Sequence, residues 1–403
     1  MDRAEQIIPL SRPDISEVEI QEVLSVLRTP TLSCGPKLRE FEDRMATLLG
    51  VRHAVAVSSG TAGLHLAILA LGIGEGMEVL TSPFSFVASA NVILHARAMP
   101  VFVDVDDHTL NLSPETVADA VERRYQQVDA GLVNRQTGRR LAGVLPVDVF
   151  GHPVDIDGFR EIATRYRLSL IEDSCEALGS ELYSRVHRRW IRVGSQADVS
   201  VFAFYPNKQM TTGEGGLVAT NDSALAAWVR MGRNQGRSEG ATWLQHETLG
   251  FNYRLDELSA ALGVGQLKRF DELMRKRCAV ADLYEKALAP IRALRLPHAE
   301  PWARANWFVY VVRVAADVDR DALMRFLAMR GIETRAYFPA IHLQPVYQRL
   351  FGFQQGAFPV CEGAAAAALA LPFFNDMTAD QVGLIAGAIE EGVHARVTTH
   401  HSA

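Results

Sequence analysis

Residues 53–103 read HAVAVSSGTAGLHLAILALGIGEGMEVLTSPFSFVASANVILHARAMPVFV, and their rhythm decides the fold. His53–Val57 is a short β-rich run, and Ala62–Leu71 carries apolar residues at helical spacing. Glu78–Thr81 reads as a strand, Val87–His95 as a helix and Pro100–Val103 as a strand again. The alternation continues: Pro114–Tyr125 is helical, and the helix Ile156–Tyr166 separates the strands Leu141–Val147 and Leu168–Ile171. Strands alternating with helices build a mostly parallel sheet with helices on both faces. Such sheets bind ligands beyond the C-terminal ends of their strands.

Upstream, Ile15–Leu27 and Leu38–Leu49 show helical spacing. Downstream, Val199–Phe204 and Gly216–Ala219 are further strands, and one long helical stretch is expected from about Asp256 to Leu288. Pro290–Pro301 reads as a link, broken by Pro297. Beyond it, Phe308–Val314 alternates like a strand, and Asp321–Arg330 and Ala379–Ala395 look helical. A chain of 403 residues exceeds one ordinary core. The pattern predicts an α/β fold with a large domain over 1–280 and a smaller α+β domain over 281–403. Val128–Arg140 and the arginine-rich Tyr183–Arg192 read as loops or hairpins.

Composition narrows the function. With 48% hydrophobic and 22% charged residues, the chain has the make-up of a soluble enzyme with a sizeable core. A net charge of −6 argues against a nucleic-acid partner held by a general basic field. The doublets Arg123–Arg124, Arg139–Arg140 and Arg188–Arg189 read as solvated surface, or as attraction for a phosphorylated substrate. Cysteines at 34, 175, 278 and 361 form no CxxC pair, and no histidine cluster has zinc spacing, so no metal is expected. The start, MDRAEQIIPL, is charged and no apolar run has membrane-spanning length. A cytoplasmic protein with no membrane partner follows as the expectation. No GxGxxG opens a βα turn, and neither GxxxxGK nor HExxH occurs, which argues against dinucleotide, P-loop and zinc-hydrolase chemistry.

Three elements carry chemistry. Val57–Gly63, VSSGTAG, is a strand-to-helix turn of small residues. A helix N-terminus there offers unpaired N–H groups to an anion, although Thr61 also reads as a plain helix cap. Asp173, in LIEDS, follows an apolar strand at the ligand edge. A carboxylate so placed can pair with a ring nitrogen and keep it protonated, or merely cap the next segment. Lys208, in FAFYPNKQ, follows another apolar strand and precedes the glycines of TTGEGG. An amine in a partly desolvated site becomes nucleophilic and can form an imine with an aldehyde.

Taken together, SSGTAGLHLAILAL, IEDSCEALGS, FAFYPNKQMTTGEGG and GFNYRLDELSAALGVGQL resemble the DegT-type family of sugar aminotransferases that depend on pyridoxal 5′-phosphate (PLP). The resemblance extends from IIPLSRPDI to TRAYFPAIHLQPVY, in family order. It implies the aspartate-aminotransferase type of PLP-dependent transferase fold. It implies that Lys208 carries PLP as a Schiff base and shuttles protons, and that Asp173 contacts the pyridine nitrogen. Gly60 belongs to the phosphate turn, where Thr61 and Ala62 would offer N–H groups. Phe86 matches the aromatic that stacks on the ring, and Asn252 a residue reaching the phosphate from the neighbouring subunit of a homodimer. Arg335, Tyr337 and His342 lie where the small domain approaches the acceptor, and Thr31–Gly35 is a second segment expected to border it. The implied reaction moves an amino group, usually from glutamate, to a keto-sugar, commonly nucleotide-linked.

Two positions depart from the family pattern. Ala203 stands where a serine often binds the cofactor phosphate, a charge-assisted bond worth roughly 1.5–3 kcal/mol. Tyr205, Asn207 or water is left to replace it. Glu176 stands beside the ring where many members have His or Gln. A branch that dehydrates sugars uses acidic residues nearby but replaces the lysine with histidine, so Lys208 favours amino transfer. Dehydration, amination of a cyclitol or other ketone, and a non-catalytic PLP-binding regulator are the alternatives.

Overall fold

The structure, a computed structural model, describes residues 7–129, 131–238, 240, 242 and 245–397. Residues 1–6 of the charged N-terminal stretch lie outside them. Along the chain run the strands β1 (His53–Val57), β2 (Met77–Thr81), β3 (Met99–Phe102), β4 (Tyr125–Val128), β5 (Gly131–Asn134), β6 (Arg140–Leu145), β7 (Ser169–Asp173), β8 (Glu181–Ser184), β9 (Arg189–Arg192), β10 (Val199–Ala203) and β11 (Gly216–Thr220). The main sheet has the order β1-β11-β10-β7-β6-β2-β3, with β5 attached to β6 and β4 to β5. From β10 to β3 the pairings along this path are parallel; β11 runs antiparallel to both β1 and β10. The fold is of the α/β type expected from the alternation.

Residue size along β1 shows how both faces are covered. Val55 and Val57 pack with the helices Gly60–Ala70 and Ser223–Arg233, whereas Ala54 and Ala56 face the helix Pro36–Leu49 through Phe41 and Met45. Side chains that alternate along a strand serve two cores at once. Register then gathers the site. Val57 pairs with Gly216, Ala203 also pairs with Gly216, and Val201 pairs with Asp173. The chain leaving β1, β7 and β10 therefore emerges at one edge of the sheet.

The stretch expected as one helix from Asp256 to Leu288 is two, Glu257–Lys268 and Phe270–Leu288. Arg269 leaves helical torsions (φ −111°, ψ 12°) and its guanidinium meets Asp14, Glu19 and Glu272 instead. The second helix crosses into another core, where Tyr284 and Leu288 meet Val312, Leu327, Leu371 and Ile389.

Strands β12 (Leu294–Arg295), β13 (Ala303–Arg304), β14 (Tyr310–Val314), β15 (Arg335–Ala336) and β16 (Ala368–Leu371) follow. They form an antiparallel sheet β12-β14-β16-β15, while β13 joins the hairpin β8–β9. Ile8, from the start of the chain, also belongs to this core, and its N–H donates to Gly331 O at 2.8 Å. The alanine run 364–370 divides between the helix Pro359–Ala367 and β16, so strand pairing with β14 overrides alanine's helical preference. Among the described residues no helix is long and apolar enough to cross a membrane.

Candidate active site

The shared sheet edge opens onto a cavity of about 430 Å³. Its anion-binding wall is the first turn of Gly60–Ala70. Ser59 caps that helix: its Oγ accepts from the Ala62 N–H at 3.1 Å and its carbonyl from the Gly63 N–H at 3.0 Å. The cap is therefore Ser59, whereas Thr61, two residues on in the same first turn, is exposed and lines the cavity. Ala62, expected to offer its N–H to a phosphate, donates it to Ser59. The N–H groups of Gly60 and Thr61 meet no acceptor among the described residues, as the open end of a helix requires.

Close backbone approach explains the glycines. A Cβ on Gly216 would lie 2.4 Å from the Ser59 carbonyl carbon, so only glycine lets β11 abut the cap. A Cβ on Gly60 would lie 2.7 Å from the Ala203 Cβ, which places Ala203 directly behind the anion-binding turn.

Asp173 ends β7 and is 4% exposed. Its Oδ2 accepts from Ser89 Oγ at 2.6 Å, and its Oδ1 accepts from the Cys175 N–H at 3.2 Å. Lys208 stands on the turn after β10, where its N–H donates to Tyr205 O at 2.9 Å. Its Nζ lies 3.5 Å from Glu176 Oε1 and 3.8 Å from the centre of the Phe308 ring. The second oxygen of Glu176 accepts from the Phe150 N–H at 2.9 Å. Burial pushes the Glu176 carboxyl up, and the Lys208 ammonium opposes that push. Asn207 Oδ1 is buried at the cavity with no partner among the described residues. Phe86 and Tyr205 stand exposed at the mouth, and Tyr337 forms a further wall. Burial raises the Tyr337 phenol, and the Glu176 carboxylate raises it further.

The cavity thus brings together Gly60, Thr61, Phe86, Asp173, Glu176, Lys208 and Tyr337 of the residues singled out in the sequence. Other candidates lie elsewhere in this chain. His342 has no exposed surface; its Nε2 is 3.0 Å from Glu362 Oε1 and its ring packs edge-on against Phe358. Arg335 is exposed, bonds Thr334 O and lines a separate groove with Asp321 and Glu333. The Thr31–Gly35 loop is tied to Glu257, whose Oε1 accepts from the Gly35 N–H at 2.9 Å. Asn252 is exposed, in a bridge with Asn234, and does not line this cavity. Sequence reasoning missed Ser59 as the cap, and it missed Ser89 and Phe308. Neither of the last two lies in a motif, and each reaches the site only through packing. Among the described residues, no group of three His, Cys, Asp or Glu side chains is placed to hold a metal.

An unpaired anion turn, a buried carboxylate for a ring nitrogen and an imine-forming amine fit PLP, and the orphaned Asn207 oxygen leaves polar capacity beside them. The protein is a PLP-dependent aminotransferase. The chain belongs to the DegT/DnrJ/EryC1/StrS aminotransferase family, whose model matches residues 13–390. It is similar to the spore coat polysaccharide biosynthesis protein SpsC of Bacillus subtilis, with 35% identity over 95% of this chain and 96% of SpsC. S. venezuelae DesV, solved in complex with a ketimine intermediate, matches with a TM-score of 0.84 at 31% identity, over 96% of this chain and 98% of DesV. DesI, solved in the presence of its TDP-sugar product, matches with a TM-score of 0.84 at 30% identity, over 99% and 96%. The family and these neighbours make it a sugar aminotransferase in general type.

Proposed function

We propose that the enzyme moves the amino group of L-glutamate to a nucleotide-linked keto-sugar in amino-sugar biosynthesis. The observation that carries this reading is the convergence of Lys208 Nζ, Asp173 and the N–H groups of Gly60 and Thr61 on one cavity. The TDP-sugar product of DesI supports the nucleotide-linked acceptor.

Bound PLP supplies the electron sink. In this reading the Gly60 and Thr61 N–H groups, with the Thr61 hydroxyl, hold the cofactor phosphate at the positive helix end. Ala62 contributes through the same helix dipole rather than a free N–H. Asp173, held by Ser89, would pair with the ring nitrogen, and Phe86 would stack on the ring. Lys208 Nζ would take a proton from the α-carbon of the amino donor and deliver it to the carbon on the far side of the shared nitrogen, the cofactor's C4′, as base and then acid. Glu176 offers the ammonium form a carboxylate. Of the small-domain candidates Tyr337 alone borders the cavity, so it carries the acceptor-side role.

The same proposal includes a cytoplasmic homodimer. Asn252 is exposed and does not line its own cavity, which suits a residue that completes the site of a second copy. It also keeps the division into a large domain, 1–280, and a small one, 281–403; the core around Tyr284 and Leu327 supports it, with Ile8 from the first range joining that core.

The test is an absorption spectrum of the purified protein before and after L-glutamate, beside Lys208→Ala. A cofactor band that depends on Lys208 and moves on adding glutamate supports the reading. A bound cofactor that ignores every amino donor moves the assignment to a dehydratase or a regulator.

A further inference from the structure

Lys208 Nζ lies close to Glu176 Oε1 and to the face of the Phe308 ring, 3.8 Å from the ring centre. Phe308 comes from the C-terminal part of the chain and is 2% exposed. Its N–H donates to Phe150 O at 2.9 Å, and the Phe150 N–H donates to Glu176 Oε2 at 2.9 Å. One residue therefore ties together the ring and the carboxylate that flank the amine. The adjoining peptide is anchored too. Gln209, next to the lysine, donates to Asn306 O at 2.9 Å.

Behind this segment lies Arg277, 5% exposed, on the helix Phe270–Leu288. Its Nε donates to Trp307 O at 2.7 Å, its Nη2 to Phe308 O at 2.6 Å and its Nη1 to Asn375 Oδ1 at 3.1 Å. No carboxylate pairs with it among the described residues. Burial pulls the guanidinium down to about 10. A buried cation without a counter-ion costs stability unless its donors are all used. Here they bind the two carbonyls that flank the Phe308 backbone.

We infer that Phe308, held in place by Arg277, is a positioning residue for Lys208. Its ring face and the Glu176 carboxylate hold the amine in place while it takes up a proton and delivers it. An aromatic face stabilises a desolvated cation through its quadrupole. The inference rests on the proton-shuttle role proposed for Lys208.

The decisive variant keeps the shape and weakens the face: 3,4,5-trifluorophenylalanine at position 308, beside Phe308→Leu and Phe308→Tyr. Two quantities are read. One is the labelling rate of Lys208 by a small acylating reagent in cofactor-free protein, followed by peptide mass spectrometry. The other is kcat against KM in the glutamate half-reaction. The trifluoro side chain is expected to raise labelling and lower kcat, each by about threefold to tenfold, with KM within about twofold. Leucine acts in the same direction, and tyrosine restores wild-type values. Wild-type labelling and kcat with the trifluoro side chain overturn the inference, as does a rise in KM alone. A protein that labels as expected yet transfers no amino group keeps the positioning role and overturns the functional reading. Arg277→Lys, if folded by circular dichroism, is expected to reproduce part of the leucine effect.

Discussion

Ser89 Oγ donates a 2.6 Å hydrogen bond to Asp173 Oδ2. Ser89 sits in the first turn of the helix Ala88–His95, and Asp173 at the end of β7. Both are almost fully buried, so the bond orients the carboxylate with little competition from water.

Ser89→Ala is expected to weaken PLP binding about tenfold, since a hydrogen bond to a charged group is worth roughly 1.5–3 kcal/mol. Equilibrium dialysis of the cofactor against variant and wild type measures it. An unchanged Kd would show that the Cys175 N–H alone suffices to hold Asp173.

Ala203→Ser is expected to tighten PLP binding. The Ala203 Cβ stands 2.7 Å from the place a Gly60 Cβ would occupy, so a hydroxyl there lies beside the anion turn. A Kd about threefold to tenfold lower matches one added charge-assisted bond partly offset by crowding. Weaker retention would mean the space behind Gly60 admits no further atom.

Glu172 lies one residue before Asp173 and is 1% exposed. Its Oε2 accepts from Ser200 Oγ at 2.8 Å and the Gly194 N–H at 3.1 Å, and burial still raises it to about 7. Nearby Asp148 is raised by burial and then by the Glu172 charge. A carboxyl whose folded pKa is raised contributes stability that is complete below the unfolded value of 4.5 and is lost as pH climbs through about 7. Glu172→Gln removes that loss while keeping an oxygen for both donors. The variant should gain on the order of 1–3 kcal/mol relative to wild type at pH 8, and less at pH 5. Thermal melts at both pH values decide it: equal shifts at each would mean Glu172 does not titrate in this window.

Tyr337→Ala should raise the KM for the sugar acceptor and spare the glutamate half-reaction, because Tyr337 lines the cavity from the C-terminal part of the chain. Stopped-flow comparison of the two half-reactions measures this. Equal losses in both would place Tyr337 against the cofactor instead.

Much of the large sheet was legible because each element has a local period. The strands at His53–Val57, Glu78–Thr81 and Val199–Phe204 and the helix Ile156–Tyr166 appear within a residue or two of the expected limits. Periodicity failed where distant contacts override it. Arg269 breaks a continuous helical pattern, Ala368–Leu371 becomes a strand despite its alanines, and the short helix Pro345–Phe351 was not foreseen.

The sequence by itself determined the chemistry on offer: a lysine and an aspartate each placed after an apolar strand, and small residues at a strand-to-helix turn. Those features are local, because a strand end and a helix start are made by neighbouring residues. Only the tertiary structure decided which groups meet. It placed Ser89 on Asp173, and Phe308 and Glu176 on Lys208, and put His342 in a core against Glu362. Such contacts depend on strand register and on which faces bury together. Residues far apart in the chain reveal that only once the cores have closed.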